Sequence, residues 1–198
     1  MYMALPTFEE IEALHKKHAP TQEAFELVFT HSKIVSEVAV LLLAAKNYPE
    51  LDVEFVKVGC LLHDIGVYKL YKDGVLDKSN YIMHGIEGYE VLKSEGFDEA
   101  ICRIASHHTG VGLTKQEIKL RSLPLPHEDF LAETQEERLV MYADKFHSKT
   151  PRFNSFDSYL NYVVKLGEGN GAKFQEIAEE FGVPSLDDLS KKYNHPII

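Results

Sequence analysis

The sequence predicts an all-α bundle. Apolar residues recur at helical spacing along nearly all of the 198 residues, strand-like alternation between turn signals is scarce, and threonine caps stand just before apolar-periodic segments.

The elements follow in order. Thr7 with Glu10 forms a capping-box pattern and opens a short helix that ends near His18 and Pro20. Thr21 caps a long helix to about Lys46, with Phe25, Val28, Phe29, Ile34, Val35, Val38, Leu41 and Leu42 on its buried side and His31 in its middle. A third helix, about Val53 to Ile65, is apolar on most sides and therefore central. It carries His63 and Asp64 at its C-terminal end, with Gly66 as the stop. Val67 to Asn80 reads as a loop turning at Asp73-Gly74. Ser79 or Asn80 caps a helix from about Tyr81 to Glu95, bearing His84 one turn in and ending at Gly96. A helix from Asp98 to His107 is broken by Thr109-Gly110-Val111-Gly112. The irregular stretch Leu123 to Asp129 reads as a lid. Thr134 opens a helix through His147 that contains Asp144, and amphipathic helices follow Pro151, broken at Gly167 to Gly171 and at Gly182-Val183-Pro184.

Length and the lack of a Pro/Gly/Ser-rich divider give one domain over residues 1–198, with a core of about 25–150 and a C-terminal helical extension over 151–198. The net charge of −10, without a basic block, argues against a nucleic-acid polymer as partner. A small phosphorylated ligand is still allowed, because bound cations invert the local field. The apolar run Val38 to Ala45 is too short to span a bilayer and the N-terminus lacks signal-peptide order, so a cytoplasmic protein without membrane contact is expected. Cys60 and Cys102 lie in apolar segments without metal-type spacing and read as packing residues.

Six residues carry the chemistry: His31, His63, Asp64, His84, His107 and Asp144. Adjacent helical side chains diverge by about 100°, so His63 and Asp64 can reach one ion only where a helix ends against a cavity. Imidazoles and carboxylates without thiolates suit Fe, Mn, Zn, Co or Ni. One ion needs about four protein ligands, so six candidates suggest two ions, with Asp64 as the natural bridge and a bridging hydroxide between them.

In this pattern the chain resembles the HD-domain metal-dependent phosphohydrolase superfamily. His31, His63-Asp64 and Asp144 match its first histidine, its His-Asp pair and its distal aspartate, over about Thr30 to Lys149. His84-Gly85-Ile86-Glu87-Gly88 and Ser106-His107-His108-Thr109-Gly110 resemble the two extra histidine motifs of the binuclear subgroup, and Tyr142-Ala143-Asp144-Lys145 resembles its closing motif. The resemblance implies an HD-domain helical bundle and hydrolysis of a phosphate ester or anhydride in a small nucleotide-like substrate. It implies two divalent ions, Fe or Mn favoured, and allows a homo-oligomer. His31, His63, Asp64 and Asp144 would hold one ion, and Asp64, His84 and His107 the other. Either His107 or His108 could be the last ligand; the distance to Thr109-Gly110 favours His107, leaving His108 as a neighbour or substrate contact. The catalytic group is then Asp64, His84, His107 and His108.

The chain also departs from the family pattern. Val67 stands where a lysine commonly follows the His-Asp motif, so Lys69 or Lys72 would have to replace it. No Gly-Tyr-Pro follows His107-His108, which argues against cyclic di-GMP as substrate. Lys69, Lys145, Lys149 and Arg152 are candidate phosphate contacts.

Each candidate also has a plainer reading. His31 could be a satisfied core histidine, His84 a first-turn residue, His107 and His108 helix-end cations, and Asp144 the partner of Arg138 or Lys145. The plain reading is weakest for Asp64, since an unpaired carboxylate beside so much apolar surface is costly without a cation. His15, His18, His127, His147 and His195 carry no comparable support, and most of them are expected to be solvated. Two rival functions use nearly the same ligands: a mixed-valent diiron oxygenase of the same fold, and a non-catalytic nucleotide-sensing module.

Overall fold

The computed structural model describes residues 5–46, 48–167 and 169–198. Ten α-helices are found among them: α1 (Phe8–His18), α2 (Gln22–Ala45), α3 (Val53–Leu62), α4 (His84–Ser94), α5 (Glu99–His107), α6 (Lys115–Leu120), α7 (Gln135–Asp144), α8 (Phe156–Val163), α9 (Asn170–Phe181) and α10 (Asp187–Tyr193). Two small antiparallel ladders join them, β1 (Tyr71–Lys72) with β2 (Val75–Leu76) and β3 (His147–Ser148) with β4 (Arg152–Phe153). The fold class is all-α, as the periodicity predicts.

Helix starts follow local chemistry. Thr7 and Glu10 close a reciprocal capping box, 3.2 Å and 2.8 Å, and Thr21 accepts from the Ala24 amide at 3.1 Å. Thr134 and Glu137 form the same box at α7. Thr114 and Glu117 form another at α6, a helix the Gly110 and Gly112 turns conceal in the sequence.

The segment expected to be a loop after α3 is more ordered than its polarity suggests. Ile65–Leu70 and Lys78–Met83 are 3₁₀ turns, and between them Asp73 (φ 50°) and Gly74 (φ 78°) make a tight left-handed hairpin turn. The second 3₁₀ turn takes the place of the expected first turn of α4, so His84 heads that helix instead of lying one turn inside it. α3 ends at Leu62 and α7 at Asp144, both earlier than expected.

The apolar core has two main parts. One gathers Val28, Phe29, Leu62, Ile65, Leu92 and Ile101 between α1, α2, α3, α4 and α5. The other gathers Ile34, Val38, Val140, Phe146, Phe174 and Phe181 between α2, α3, α7 and the C-terminal helices. By length and apolarity α2 could cross a membrane, but Val28, Ile34, Val35, Val38 and Ala39 are completely buried here. Its apolar face is committed to the core. His31 lies on α2 between Val28 and Ile34, where the two parts meet.

Gly66 does not cap α3 in a left-handed conformation, as its position after the helix suggests. It lies within the first 3₁₀ turn and its φ is not positive. A Cβ there would overlap the backbone nitrogen of Gly88 and the carbonyl oxygen of His84. α4 can approach the end of α3 only across this bare backbone. Neighbouring α5 is met the same way, since a Cβ on Gly85 would stand 2.9 Å from the Ala105 carbonyl oxygen.

Gly66→Ala should therefore destabilise the protein by more than about 2 kcal/mol, because backbone rather than a movable side chain blocks the added methyl. A urea midpoint equal to that of the wild type would contradict this packing.

Candidate metal centre

The pair His63-Asp64 lies where α3 gives way to the 3₁₀ turn. His63 keeps helical angles, whereas Asp64 sits at φ −107°, ψ 11°, in the sparsely populated bridge region. That change of backbone direction lets two consecutive side chains face one point.

Asp64 is the hub. Its Oδ2 lies 3.2 Å from both His31 Nε2 and His63 Nε2, and Asp144 Oδ1 lies 3.0 Å and 3.4 Å from the same two nitrogens. Its Oδ1 faces the other way, 3.6 Å from His84 Nε2 and 3.6 Å from His108 Nε2, which are themselves 3.0 Å apart. Two groups of potential ligands result, His31, His63, Asp64, Asp144 and Asp64, His84, His108, each with its donor atoms within 4.8 Å of one another. Separations of this size are the edges of a coordination polyhedron whose metal–ligand bonds are roughly 2.0–2.2 Å.

The residues present fit a cation. His63 Nε2 and both Asp64 carboxylate oxygens are buried without a properly directed hydrogen bond, as atoms that hold a cation would be. Three of the imidazoles are also oriented for it. The Nδ1 atoms of His63, His84 and His108 donate to the carbonyls of Cys60 (2.7 Å), Tyr81 (2.6 Å) and Ala105 (2.7 Å), which turns each Nε2 lone pair inward.

Electrostatics separate the two sides of Asp64. Burial lowers His84 to about 3 and lowers His108 as well, so both stay neutral and ligand-ready. Burial also opposes a proton on His63, but Asp64 and Asp144 outweigh it and lift this imidazole to about 9. The carboxyls respond in kind. Burial would raise Asp64 and Asp144, yet Lys149 beside the first and Lys145 beside the second hold both well below the usual carboxylate range. Lys149 ion-pairs with Asp64 Oδ2 and lies over the Tyr81 ring, 5.4 Å from its centroid. Lys145 Nζ bonds Asp144 Oδ2 at 2.7 Å and the His108 carbonyl at 2.8 Å. Asp144 (16% exposed) and Lys149 (18%) are the most open side chains of the cluster, so its mouth lies on their side.

Residues 28–149, more than half of the chain, match the family model described as HD domain. The chain belongs to the HD domain family. An uncharacterized protein of Methanocaldococcus jannaschii is 40% identical over 147 residues, covering 73% of this chain and 80% of that one. Two proteins named tRNA (cytidine(56)-2'-O)-methyltransferase are also similar. That of Picrophilus torridus is 33% identical over 174 residues, 86% of this chain, and that of Thermoplasma volcanium 30% over 142 residues, 72% of this chain. The match covers only 47% and 38% of their lengths, so this chain corresponds to a part of each. Among solved structures, the HD domain of the L. monocytogenes phosphodiesterase PgpH, in complex with cyclic-di-AMP, superposes with a TM-score of 0.53 at 14% identity over 94% of this chain and 98% of that one. A second structure of that domain gives 0.55 at 16% identity, over 92% and 98%. At such identities it is the fold that is shared.

Within this HD domain the structure gathers His31, His63, Asp64, His84 and Asp144, but not His107. His107 is half-buried on the other side of α5, its Nδ1 2.7 Å from Ser106 Oγ and 3.0 Å from the Arg103 carbonyl, with its ring near Phe130. His108 takes the inward place. The sequence holds a signal for this: Ile101, Ile104 and Ala105 form the buried stripe of α5, and His108 continues it, whereas His107 continues the Arg103 face.

The phosphate-contact candidates divide as well. Lys69 and Arg152 are exposed and make no ion pair with any of the gathered residues, and Lys145 is buried with its ammonium already engaged by Asp144 and the His108 carbonyl. Lys149 is the cation at the mouth. Leu123 and Leu125, in the stretch read as a lid, pack with Ile82 and Ile86 against the small apolar cluster of Leu113, Ile118 and Phe130. Two of the five histidines without a motif, His15 and His147, are buried. His15 bonds Tyr68 and the Leu61 carbonyl, both at 2.8 Å, with burial lowering it to about 4, and His147 lies 2.9 Å from His31.

His108→Ala should lower the metal bound per chain, whereas His107→Ala should leave it unchanged. Metal analysis of protein purified without chelator checks both, and the opposite ranking would return the ligand role to His107.

Proposed function

We propose that this HD domain is a metal-dependent phosphohydrolase that cleaves a phosphate ester or anhydride of a small nucleotide-like substrate. The single observation that carries the reading is the division of Asp64, whose two oxygens face two separate groups of ligands. His31, His63, Asp64 and Asp144 would hold one divalent ion and Asp64, His84 and His108 a second, Fe or Mn by preference. When bound, such ions supply Lewis-acid polarisation of a phosphoryl oxygen and ease the loss of a proton from water.

The chain's own residues do the rest. Asp64 and Asp144 concentrate negative charge where cations must sit, and Lys145 holds Asp144 in place. Lys149, the cation at the mouth beside Asp64, would meet a phosphate oxygen of the substrate there. The imidazole carbonyl anchors keep the ligands from turning toward solvent.

A phosphorylated substrate agrees with Lys149 beside Asp64 at the mouth, and a nucleotide agrees with the cyclic-di-AMP bound by the PgpH domain of the same fold. The net charge of −10 favours a small molecule over a nucleic-acid polymer. The region shared with the two longer methyltransferase-named proteins is read as an HD unit carried beside the transferase part, since it takes in 86% and 72% of this HD-domain chain but only 47% and 38% of their lengths. A cytoplasmic setting goes with the two free, buried cysteines.

A panel of nucleotides, dinucleoside polyphosphates and simple phosphate esters, run with Mn or Fe, tests the assignment. Turnover of at least one class is expected. Oxygen consumption with every phosphate compound left intact would move the protein to oxygenase chemistry. Asp64→Ala should abolish turnover and lower metal content, and adding His31→Ala to it should cost little more, because ligands of one site act as a unit. Lys149→Ala should keep its metal yet lose about 10²-fold in kcat/KM, as expected when one donor to a developing phosphate charge is removed.

A further inference from the structure

His31 is anchored differently from the other imidazoles of the centre. His63, His84 and His108 each donate Nδ1–H to a carbonyl three residues earlier in the chain. His31 lies in mid-α2, where such carbonyls are engaged by the helix itself, and its Nδ1 instead meets His147 Nδ1 of β3 at 2.9 Å. His147 Nε2 in turn meets His195 Nδ1 at 3.0 Å. The three rings lie near one plane, 27° apart for the first pair and 15° for the second, which suits hydrogen bonds made in the ring plane.

Only one tautomer pattern serves a metal ligand. His31 must keep its Nε2 lone pair toward Asp64 and Asp144, so Nδ1 carries the hydrogen and donates it. His147 Nδ1 then accepts, His147 Nε2–H donates, and His195 Nδ1 accepts. The outer end is fixed by the C-terminal segment. His195 N donates to the Ser190 carbonyl at 3.1 Å, the Ser190 hydroxyl donates to the His195 carbonyl at 2.7 Å, and the residues after it pair with β4, Phe153 N to the Pro196 carbonyl at 2.8 Å and Ile198 N to the Phe153 carbonyl at 3.0 Å.

We infer that His147 and His195 are positioning residues for the metal centre, a relay of two imidazoles through which the C-terminal segment sets the tautomer and aim of His31. The inference rests on the reading of the cluster as a metal site.

The test is calorimetric titration of Mn²⁺ into the metal-free full chain, with the His31 tautomer read by ¹⁵N NMR. His147→Phe keeps a ring but no acceptor, and should weaken Mn²⁺ binding about 10–100-fold, the usual effect of losing a ligand's hydrogen-bond partner. His147→Asn places an acceptor oxygen where Nδ1 stood, and should stay within about threefold of wild type. His195→Ala touches a half-exposed residue, so it folds even where His147→Phe does not; it should weaken binding about three- to tenfold and mix the His31 tautomers. Unchanged Mn²⁺ affinity in His147→Phe or in His195→Ala overturns the relay alone. So does equal weakening in His147→Phe and His147→Asn, which marks a packing role. A wild-type chain that takes up no Mn²⁺ overturns the metal site and the relay together.

Discussion

The structure depends on one buried carboxylate. Asp64 has no exposed surface and no properly directed hydrogen bond to either oxygen, and four imidazoles and two ammonium groups stand around it and its partner Asp144. Bringing an isolated carboxylate into such a place is prohibitive, so the surrounding positive and polarisable groups are a condition of the fold as well as of its chemistry. Helices α2, α3, α4, α5 and α7 all deliver a residue at or next to this point, and each must end, bend or turn a chosen face there.

The way they are mounted favours rigidity. α4 approaches the end of α3 through the bare backbone at Gly66 and Gly88, and α5 meets α4 through Gly85. Arg103 on α5 pairs with buried Glu137 at 2.9 Å, and that carboxylate also takes the amide of Glu133 at the start of α7. His108 and Asp144, at the far ends of those two helices, are thereby held at a set separation. Backbone contacts and charged ties leave less play than interdigitated apolar side chains would, and ligand geometry benefits directly.

Much of this was legible in the sequence. The fold class, the capped starts of α1, α2 and α7, and the gathering of His31, His63, Asp64, His84 and Asp144 follow from periodicity, caps and motif resemblance. The choice between His107 and His108 did not follow from motif spacing, because the two are neighbours at a helix end and only the buried stripe of α5 separates them. The role of Gly66 was also misread, since a glycine after a helix looks the same whether it serves a left-handed turn or a close backbone approach. His147 and His195 were out of reach for another reason. Each derives its environment from tertiary contacts, one with a residue 116 positions away, and nothing in the local pattern of a two-residue strand or a C-terminal segment announces such a contact.

Lys145 and Lys149 supply the centre with counter-charge of its own. Without them, two carboxylates would stand in a dry interior with only imidazoles around them, at a large desolvation cost. With them, each carboxylate keeps a cationic neighbour supplied by the chain itself. Affinity for divalent ions follows a general order that a protein can bend only in part. A cluster whose carboxylates are already neutralised by its own lysines would therefore choose among ions by the number and placing of its imidazole and carboxylate donors, more than by net charge.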